Sequence, residues 1–439
     1  MVYSRPKKSF DKYGIKVPEL LLPAEKVDLQ SWAVIACDQY TQDRDYWERC
    51  RKNAENKPST LNLILPEVYL NDADKSERIK RIHNTMNEYM QNSVFAKPES
   101  GFMYIERTTA YGRVRKGLVV ALDLETYEWK PFSKALTRAT EATIVERIPP
   151  RMEIRRGAAL ESPHIMLLLN DPEKCLIEAA GKKASSEKPY YSTNLMENSG
   201  SIKGWLINSE EGLSEVEAAL EKLYQNGTAA DGSTFLFAVG DGNHSLATAK
   251  AVWDEYKENN GGFEKTKDAD CRYALVELVN IYDDGLTFEP IHRVLFDTNA
   301  EKLAEYLKGK LGGSIKKLNT KEELEKAVAS SKADFGFVST EGFLLLETEI
   351  KELPVSRLQP ALDDYIKESE NKPEIDYIHG SDEVFRLGAK ENAVSILLPP
   401  IAKDSFFATI NKTGPLPRKS FSMGESSEKR FYMECRKLF

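Results

Sequence analysis

The sequence FLFAVGDGNHSLATAKAVWDEY, residues 235–256, gives the sharpest local structural signal in the chain. Its first part, 235–239, is a short apolar run typical of a buried strand, and 246–256 has the apolar spacing of a helix. The six residues between them, GDGNHS, are polar or conformationally permissive. Gly240 and Gly242 allow a tight turn and a close approach of the backbone to a ligand. The pattern therefore predicts a strand–loop–helix element.

The loop carries groups that suit an anion. Asp241 or Asn243 could cap the helix, whose free N–H groups and dipole would attract a phosphate. His244 could donate a hydrogen bond to that phosphate or transfer a proton near neutral pH. A capped strand-to-helix turn, with His244 packed as an ordinary side chain, explains the same GDGNHS sequence. Six polar or permissive residues are, however, more than such a turn requires. The predicted site residues are His244, as a catalytic group, and Asp241, Gly242, Asn243 and Ser245, as phosphate-binding groups.

Several nucleotide-binding and hydrolase patterns do not occur in the sequence. There is no GxxxxGK[ST], HExxH or GxSxG, and no GxGxxG that follows a strand. A standard P-loop ATPase, zincin, α/β-hydrolase or Rossmann dehydrogenase therefore has no support.

Length, charge and cysteine content limit the classes of protein to which this chain could belong. The 439 residues suggest two or three domains. A nonspecific nucleic-acid binder needs a dominant basic surface, and the net charge of -8 argues against such a surface. Five scattered cysteines without a CxxC pair fit a reducing compartment. No run approaches the roughly 20 apolar residues that span a bilayer. We expect a cytoplasmic protein with a small-molecule substrate and neither a nucleic-acid nor a membrane partner; the sequence does not set its oligomeric state.

The order of the predicted elements favours an α+β fold. Strands and helices do not alternate strictly, which is typical of a mixed sheet rather than a doubly wound one. From about residue 298 a compact βα pattern begins. We therefore predict a main α+β domain over 1–297, a smaller α/β subdomain over 298–385, and a C-terminal segment, 386–439, that returns to the main domain.

A second group of polar residues follows the apolar run 31–37, which we expect to be a strand. Asp38 at the end of a strand suits a general base. Gln39, Tyr40 and Thr41 would then bind the substrate. A solvated loop explains the same four residues equally well.

Two charged stretches supply further candidates. In 138–151, a solvated face is the default interpretation, but the alternating signs also suit a buried ion network; we take Glu146 as catalytic and Arg151 as phosphate-binding. In the tail, Arg418, Lys419 and Ser420 predict a phosphate cradle, with a basic surface or an RNA contact as alternatives. His164 enters an apolar strand and is interpreted as a core histidine rather than a site residue.

The whole chain resembles the family catalogued as domain of unknown function 1015. The blocks that carry the resemblance are WAVIACDQYTQDRDYWE (32–48), RATEATIVERIPPR (138–151), ALESPHIMLLLND (159–171), PIHRVLF (290–296), DYIHG (376–380) and LPRKSFSMGESSEKRFYMECRK (416–437). GDGNHS looks like the DGHHR-type signature of that family, whose strand–loop–helix element is similar to that of the ParB/sulfiredoxin-like superfamily, which includes free-serine kinases. This chain has Asn243 where a first His is common and Ser245 where Arg is common. The missing Arg weakens any bidentate clamp on phosphate at this position.

The resemblance implies a phosphotransferase that acts on a small hydroxylated metabolite, with L-serine as acceptor and O-phosphoserine as product. Asp38 would be the base, and the donor would be ADP, ATP or pyrophosphate, with the missing Walker loop favouring a donor other than ATP. Mg²⁺ would be held by carboxylates such as Asp38, Asp241, Asp283 and Asp284. Two alternatives stay open: a non-catalytic nucleotide or nucleic-acid binding protein of ParB-like type, and a phosphohydrolase that uses the same anion site.

Overall fold

The computed structural model describes residues 9–162 and 164–439. The α-helices are α1 Leu29–Trp32, α2 Arg44–Asn53, α3 Lys75–Gln91, α4 Ile148–Arg155, α5 Ile177–Ala184, α6 Glu210–Asn226, α7 Asn243–Asn259, α8 Phe263–Thr266, α9 Ala300–Leu311, α10 Lys321–Ser330, α11 Val355–Glu368, α12 Ser381–Gly388 and α13 Lys403–Thr413. The strands are β1 Ile15–Lys16, β2 Glu19–Leu20, β3 Glu99–Ser100, β4 Phe102–Thr108, β5 Val114–Asp123, β6 Tyr127–Glu128, β7 Thr137–Ala139, β8 Leu160–Glu161, β9 Met166–Leu169, β10 Tyr191–Asn194, β11 Ser201–Ile207, β12 Phe237–Asp241, β13 Tyr273–Asn280, β14 Phe288–Pro290, β15 His292–Phe296, β16 Ser314–Leu318, β17 Phe335–Ser339, β18 Gly342–Glu347, β19 Glu374–Ile378, β20 Ala393–Leu397, β21 Phe421–Met423 and β22 Arg436–Lys437.

The chain forms two compact units. The first comprises the described part of Met1–Ala139 with Thr143–Leu286 and Gly424–Phe439, and the second comprises Thr140–Ala142 and Thr287–Met423. These bounds differ from the predicted boundaries at 298, 385 and 386. The difference has a physical cause, because β15 and β20 pair with each other inside the second sheet and so extend that unit at both ends.

The first unit is built on a ten-stranded mixed sheet. Its order is β10-β11-β4-β5-β13-β9-β12-β7-β6, with β1 added to β5. The pairs β13–β9, β12–β7 and β6–β7 are parallel, whereas the other pairs of this sheet are antiparallel. The central strand β13 is buried along its whole length, including Glu277 and Asn280. The mixed sheet with separate helices confirms the predicted α+β class.

The second unit has its own antiparallel sheet, in the order β16-β18-β17-β20-β15-β19. Helices α9 and α11 pack against each other, and α9 and α10 contact β17 and β18. A small apolar core that includes Val294, Leu324 and Val384 lies between these elements. The pair β14–β21 belongs to the same unit.

The C-terminal segment 424–439 is an integral part of the first unit. Tyr432 N–H donates to Val34 O at 2.8 Å, and Ile35 forms an isolated bridge with Phe431. The predicted strand at 31–37 is wrong: α1 ends at Trp32, and the apolar residues after it are extended chain that borders this segment. The run is buried because the C-terminal segment covers it.

None of the helices in the described part of the chain combines the length and the apolar character that a membrane span needs.

Candidate functional site

The strand–loop–helix element forms as predicted, but the helix starts earlier. Helix α7 begins at Asn243, so Asn243, His244 and Ser245 form its first turn. Gly242 is the N-cap, with φ of 82°, and no side chain caps the helix. A Cβ at Gly242 would lie 3.0 Å from Ile165 Cγ1 and 3.2 Å from Ile165 Cα. Both the backbone conformation and this close contact therefore require glycine.

The predicted cap by Asp241 or Asn243 is wrong. Asp241 Oδ1 accepts the Gly242 N–H at 3.0 Å, and its Oδ2 lies 3.3 Å from Lys429 Nζ. Asn243 Oδ1 is buried and accepts no hydrogen bond. The N–H groups of the first helical turn therefore have no side-chain cap.

A buried histidine links Ser245 to the C-terminal segment. His164 Nε2 lies 2.9 Å from Ser245 Oγ, and His164 Nδ1 lies 2.7 Å from Tyr432 Oη. Tyr432 Oη also accepts the Cys37 N–H at 3.0 Å. Burial raises the pKa of the Tyr432 hydroxyl well above its usual range, so the hydroxyl keeps its proton and can donate it to Nδ1. Nδ1 thus accepts from Tyr432, and Nε2 faces Ser245 Oγ.

Asp38 lies beside the same imidazole nitrogen. Its Oδ2 is 3.8 Å from His164 Nε2, and 23% of its side chain is exposed. Gln39 Nε2 donates to Asp38 Oδ1 at 3.0 Å and so fixes the carboxylate. The neighbouring Cys37 is not a nucleophile, because desolvation raises the pKa of its thiol and keeps it protonated. Asp38 thus has the position of a partly accessible base.

The histidine network borders a cavity of about 150 Å³, and Asp38 is not among the residues that line it. Ser245, His164, Tyr432 and Cys37 line it together with Arg151, while much of the remaining wall is apolar. Arg151 Nε donates to Glu67 Oε1 at 2.8 Å and Arg151 Nη1 donates to Arg147 O at 2.7 Å. The structure therefore brings Arg151 to the site, but paired with a carboxylate.

Other predicted residues have structural contacts or lie in solvent. His244 Nε2 accepts the Ile144 N–H at 3.2 Å, so this nitrogen carries no proton with which to bind a phosphate. Tyr40 has φ of 49° and stacks on Tyr46 with ring centroids 3.8 Å apart. Thr41 and Glu146 are exposed. None of these four side chains is among the residues that line the cavity.

The predicted phosphate cradle of the tail belongs to the second unit. Arg418 and Lys419 are exposed there, and Ser420 is fully buried. The Ser420 N–H donates to Glu141 Oε1 at 3.2 Å, and its hydroxyl donates to Pro417 O at 2.5 Å. Both donors that the prediction offered to a phosphate are thus engaged within the protein.

The carboxylates do not form a metal cage. Among residues 9–162 and 164–439, no group of three or more His, Cys, Asp or Glu side chains is arranged to hold a metal ion. Asp283 Oδ1 accepts the Gly285 N–H at 2.9 Å in a tight turn, and Asp284 is exposed beside Lys174. A Mg²⁺ ion at Asp38 would have to take most of its ligands from water and donor phosphates, which is common for this ion.

Burial of Asp283 leads to a pH-dependent prediction. Desolvation raises the pKa of this carboxyl from 3.8 to about 6. The folded state thus holds a proton that the unfolded state releases, and the contribution of Asp283 to stability falls as the pH rises from about 4 through 6. Asp283→Asn keeps an acceptor for the Gly285 N–H and does not titrate. Its stability relative to the wild type should therefore be higher at pH 7 than at pH 4.

Urea unfolding followed by tryptophan fluorescence measures this difference, since all five tryptophans lie in the first unit. Asp284→Asn is the matched control, because Asp284 is exposed. A relative stability of Asp283→Asn that does not change between the two pH values would contradict the prediction.

Sequence reasoning missed three residues of the site. His164 was interpreted as a core residue, although the resemblance includes its block, 159–171. Tyr432 lies in another such block, 416–437, but an aromatic residue among basic ones gives no sign of an imidazole partner. Glu67 lies in an unremarkable stretch, and only the fold places it against Arg151.

Comparisons with known proteins place the chain in a family. A family model described as "Protein of unknown function (DUF1015)" matches residues 20–365. No curated protein matches the sequence.

The chain is also similar to several solved structures. A conserved hypothetical protein from Pyrococcus furiosus is 11% identical, with 74% of this chain and 97% of that chain covered and a TM-score of 0.35. A free serine kinase mutant in complex with ADP is 11% identical, with 74% and 93% covered and a TM-score of 0.38. SbnI with a C-terminal truncation from Staphylococcus aureus is 8% identical, with 70% and 83% covered and a TM-score of 0.36. Likeness at this level assigns no activity.

Proposed function

This chain belongs to the DUF1015 family of proteins of unknown function, and we propose that it is a phosphotransferase that moves a phosphoryl group from a nucleotide or pyrophosphate to the hydroxyl of a small metabolite. The observation that carries the proposal is the position of Asp38. Its partly exposed carboxylate lies 3.8 Å from His164 Nε2, which in turn contacts Ser245 in the first turn of α7. A base thus lies next to a helix N-terminus.

The helix N-terminus supplies the anion site of the proposal. The 17 residues of α7 give it a full helix dipole, and its first N–H groups have no side-chain cap. Lys429 adds a cation near Asp241. Phosphoryl transfer needs positioning and charge stabilisation more than covalent participation by the protein, so these groups are sufficient parts.

In the transfer step the acceptor hydroxyl attacks phosphorus and its proton passes to an oxygen of Asp38. The bond from phosphorus to the leaving oxygen of the donor breaks at the same time. The donor leaves shortened by one phosphoryl group. Mg²⁺, carried by the donor phosphates and completed by water, would neutralise their charge.

One observation favours a second candidate, a phosphohydrolase. Asp38 is partly exposed, so its carboxylate could accept a proton from an attacking water. Water could replace the acceptor in the same site. Phosphate release in the absence of any organic acceptor would identify this activity.

The test is a direct assay of transfer. Purified protein is incubated with Mg²⁺, L-serine and, separately, ADP, ATP or pyrophosphate, and O-phosphoserine is sought by mass spectrometry. L-serine is the first acceptor because the sequence resemblance implies it, and a panel of uncharged alcohols follows. A phosphorylated acceptor from any donor supports the proposal. Nucleotide binding without phosphorylated product or phosphate release would reject it in favour of a non-catalytic binding protein.

A further inference from the structure

The cavity beside Ser245 contains charged side chains that neutralise one another. Arg151 uses Nε and Nη2 on Glu67 and Nη1 on Arg147 O. Each of the three nitrogens of this guanidinium thus already has an acceptor. Arg151 is therefore not available to clamp a carboxylate unless its pair with Glu67 breaks.

The second ion pair of the cavity is held in the same way. Arg155 Nη2 lies 2.6 Å from Glu161 Oε2. Glu161 Oε1 accepts the Leu275 N–H at 2.9 Å and lies 2.6 Å from Arg436 Nη2. Both oxygens of this buried carboxylate are therefore engaged, and it offers little to an ammonium group.

The remaining polar groups leave one place for a hydroxyl. Ser162 Oγ donates to Glu434 O at 3.0 Å, and Thr248 Oγ1 donates to His244 O at 2.7 Å. The Ser245 hydroxyl, by contrast, contacts a histidine that also lies near Asp38. A ligand hydroxyl can join this network and face the carboxylate.

Apolar side chains supply much of the remaining wall. Those that line the cavity include Leu63, Ile64, Leu65, Leu70, Met86 and Leu160. In another protein an apolar cavity of this size, roughly 150 Å³, holds a molecule as large as benzene. The shape thus suits a compact hydrocarbon body, and ligand sites of this kind orient their ligand with few polar groups.

We infer that the acceptor in the proposed reaction is an uncharged alcohol with a compact apolar body. The inference rests on the proposed function and names its substrate class. The apolar body fills the cavity, and the hydroxyl lies at Ser245 and His164, beside the imidazole nitrogen that Asp38 approaches to 3.8 Å. A zwitterion such as L-serine would bring an ammonium and a carboxylate into a cavity whose own charges are already paired, and burial without partners disfavours both groups.

Binding without a donor tests the substrate class separately from transfer. Benzyl alcohol, 3-methylbutan-1-ol and L-serine are titrated into the full-length protein and followed by calorimetry. We expect both alcohols to bind more tightly than L-serine, by on the order of tenfold or more. Within a series of linear alcohols, each added methylene should tighten binding by about fourfold until the cavity is full. Binding of L-serine in preference to both alcohols would overturn the inference.

Two variants show that the cavity is the site. Ala158 lines the cavity and is buried, so Ala158→Leu should fill the space and abolish alcohol binding. Met86→Ala enlarges the cavity and should favour 4-ethylbenzyl alcohol over benzyl alcohol relative to the wild type. Ala218→Leu, on the exposed face of α6, is the control for the first variant. Unchanged binding in folded Ala158→Leu and an unchanged preference in Met86→Ala would both contradict the inference.

Assays with a phosphate donor present then distinguish the proposed phosphotransferase activity from the inferred alcohol acceptor. Phosphorylated alcohol, formed in preference to O-phosphoserine, supports both. Phosphorylated L-serine without alcohol binding rejects the inference and leaves the phosphotransferase standing. Alcohol binding that follows the expected series, with no phosphorylated product from ADP, ATP or pyrophosphate, rejects the phosphotransferase. In that case the apolar cavity still holds an alcohol, but the alcohol is no longer an acceptor.

Discussion

Asp38→Asn is expected to lower phosphoryl transfer by roughly 10²- to 10⁴-fold, the range that a general base contributes. The amide is nearly the same size as the carboxylate, but it cannot take the proton of the acceptor hydroxyl. Gln39 can still donate to the side-chain oxygen, so the local contact that holds the carboxylate is retained. The measurement is the rate of product formation at saturating donor and acceptor, with the free energy of unfolding determined in parallel.

The design separates catalysis from folding and from donor binding. Asp268→Asn, an exposed aspartate in a turn of the same unit, makes the same chemical change outside the site and should keep full activity. Donor affinity of Asp38→Asn should stay within a few-fold of the wild type, because the anion site is assigned to α7 and Lys429. Transfer at the wild-type rate in folded Asp38→Asn would remove Asp38 from the mechanism.

Local sequence patterns were sufficient for elements whose periodicity is uninterrupted. Strand β12 and helix α7 form within the region where the apolar run 235–239 and the helical spacing of 246–256 predict them. The start of α7 was placed too late because Asn243, His244 and Ser245 look like loop residues, although only their side chains are polar and their backbone is helical.

Contacts between distant parts of the chain could not be predicted in the same way. Cys37 and Tyr432 are 395 positions apart, and no spacing rule joins them. His164 was interpreted as a core histidine because it enters an apolar strand, and it is buried, but the strand does not reveal that Ser245 and Tyr432 contact its two nitrogens. The paired state of Arg151 follows from Glu67, whose position depends on how 37–67 folds.

A buried ion network holds the C-terminal segment that supplies Tyr432. Arg430 is about 1% exposed, with its Nε 3.1 Å from Glu277 Oε2 and its Nη2 2.7 Å from Glu434 Oε2. Tyr191 donates to the other oxygen of Glu434 at 2.5 Å. Glu277 also lies 3.5 Å from Arg115. Arg430 is the cation shared by the two carboxylates, so both depend on it.

Removal of that cation should be the most destabilising single change considered for this protein. Arg430→Met keeps much of the side-chain volume but leaves Glu277 and Glu434 buried with too little positive charge, and breaking such a pair costs about 3–5 kcal/mol. Urea unfolding monitored by tryptophan fluorescence measures the loss in the first unit, where the tryptophans lie. The matched control is Arg156→Met, which breaks the exposed pair with Glu255 and should cost no more than about 1 kcal/mol. Equal losses in the two variants would contradict the prediction. A large loss for Arg430→Met alone would mean that Glu277 and Glu434 cannot stay buried without this cation.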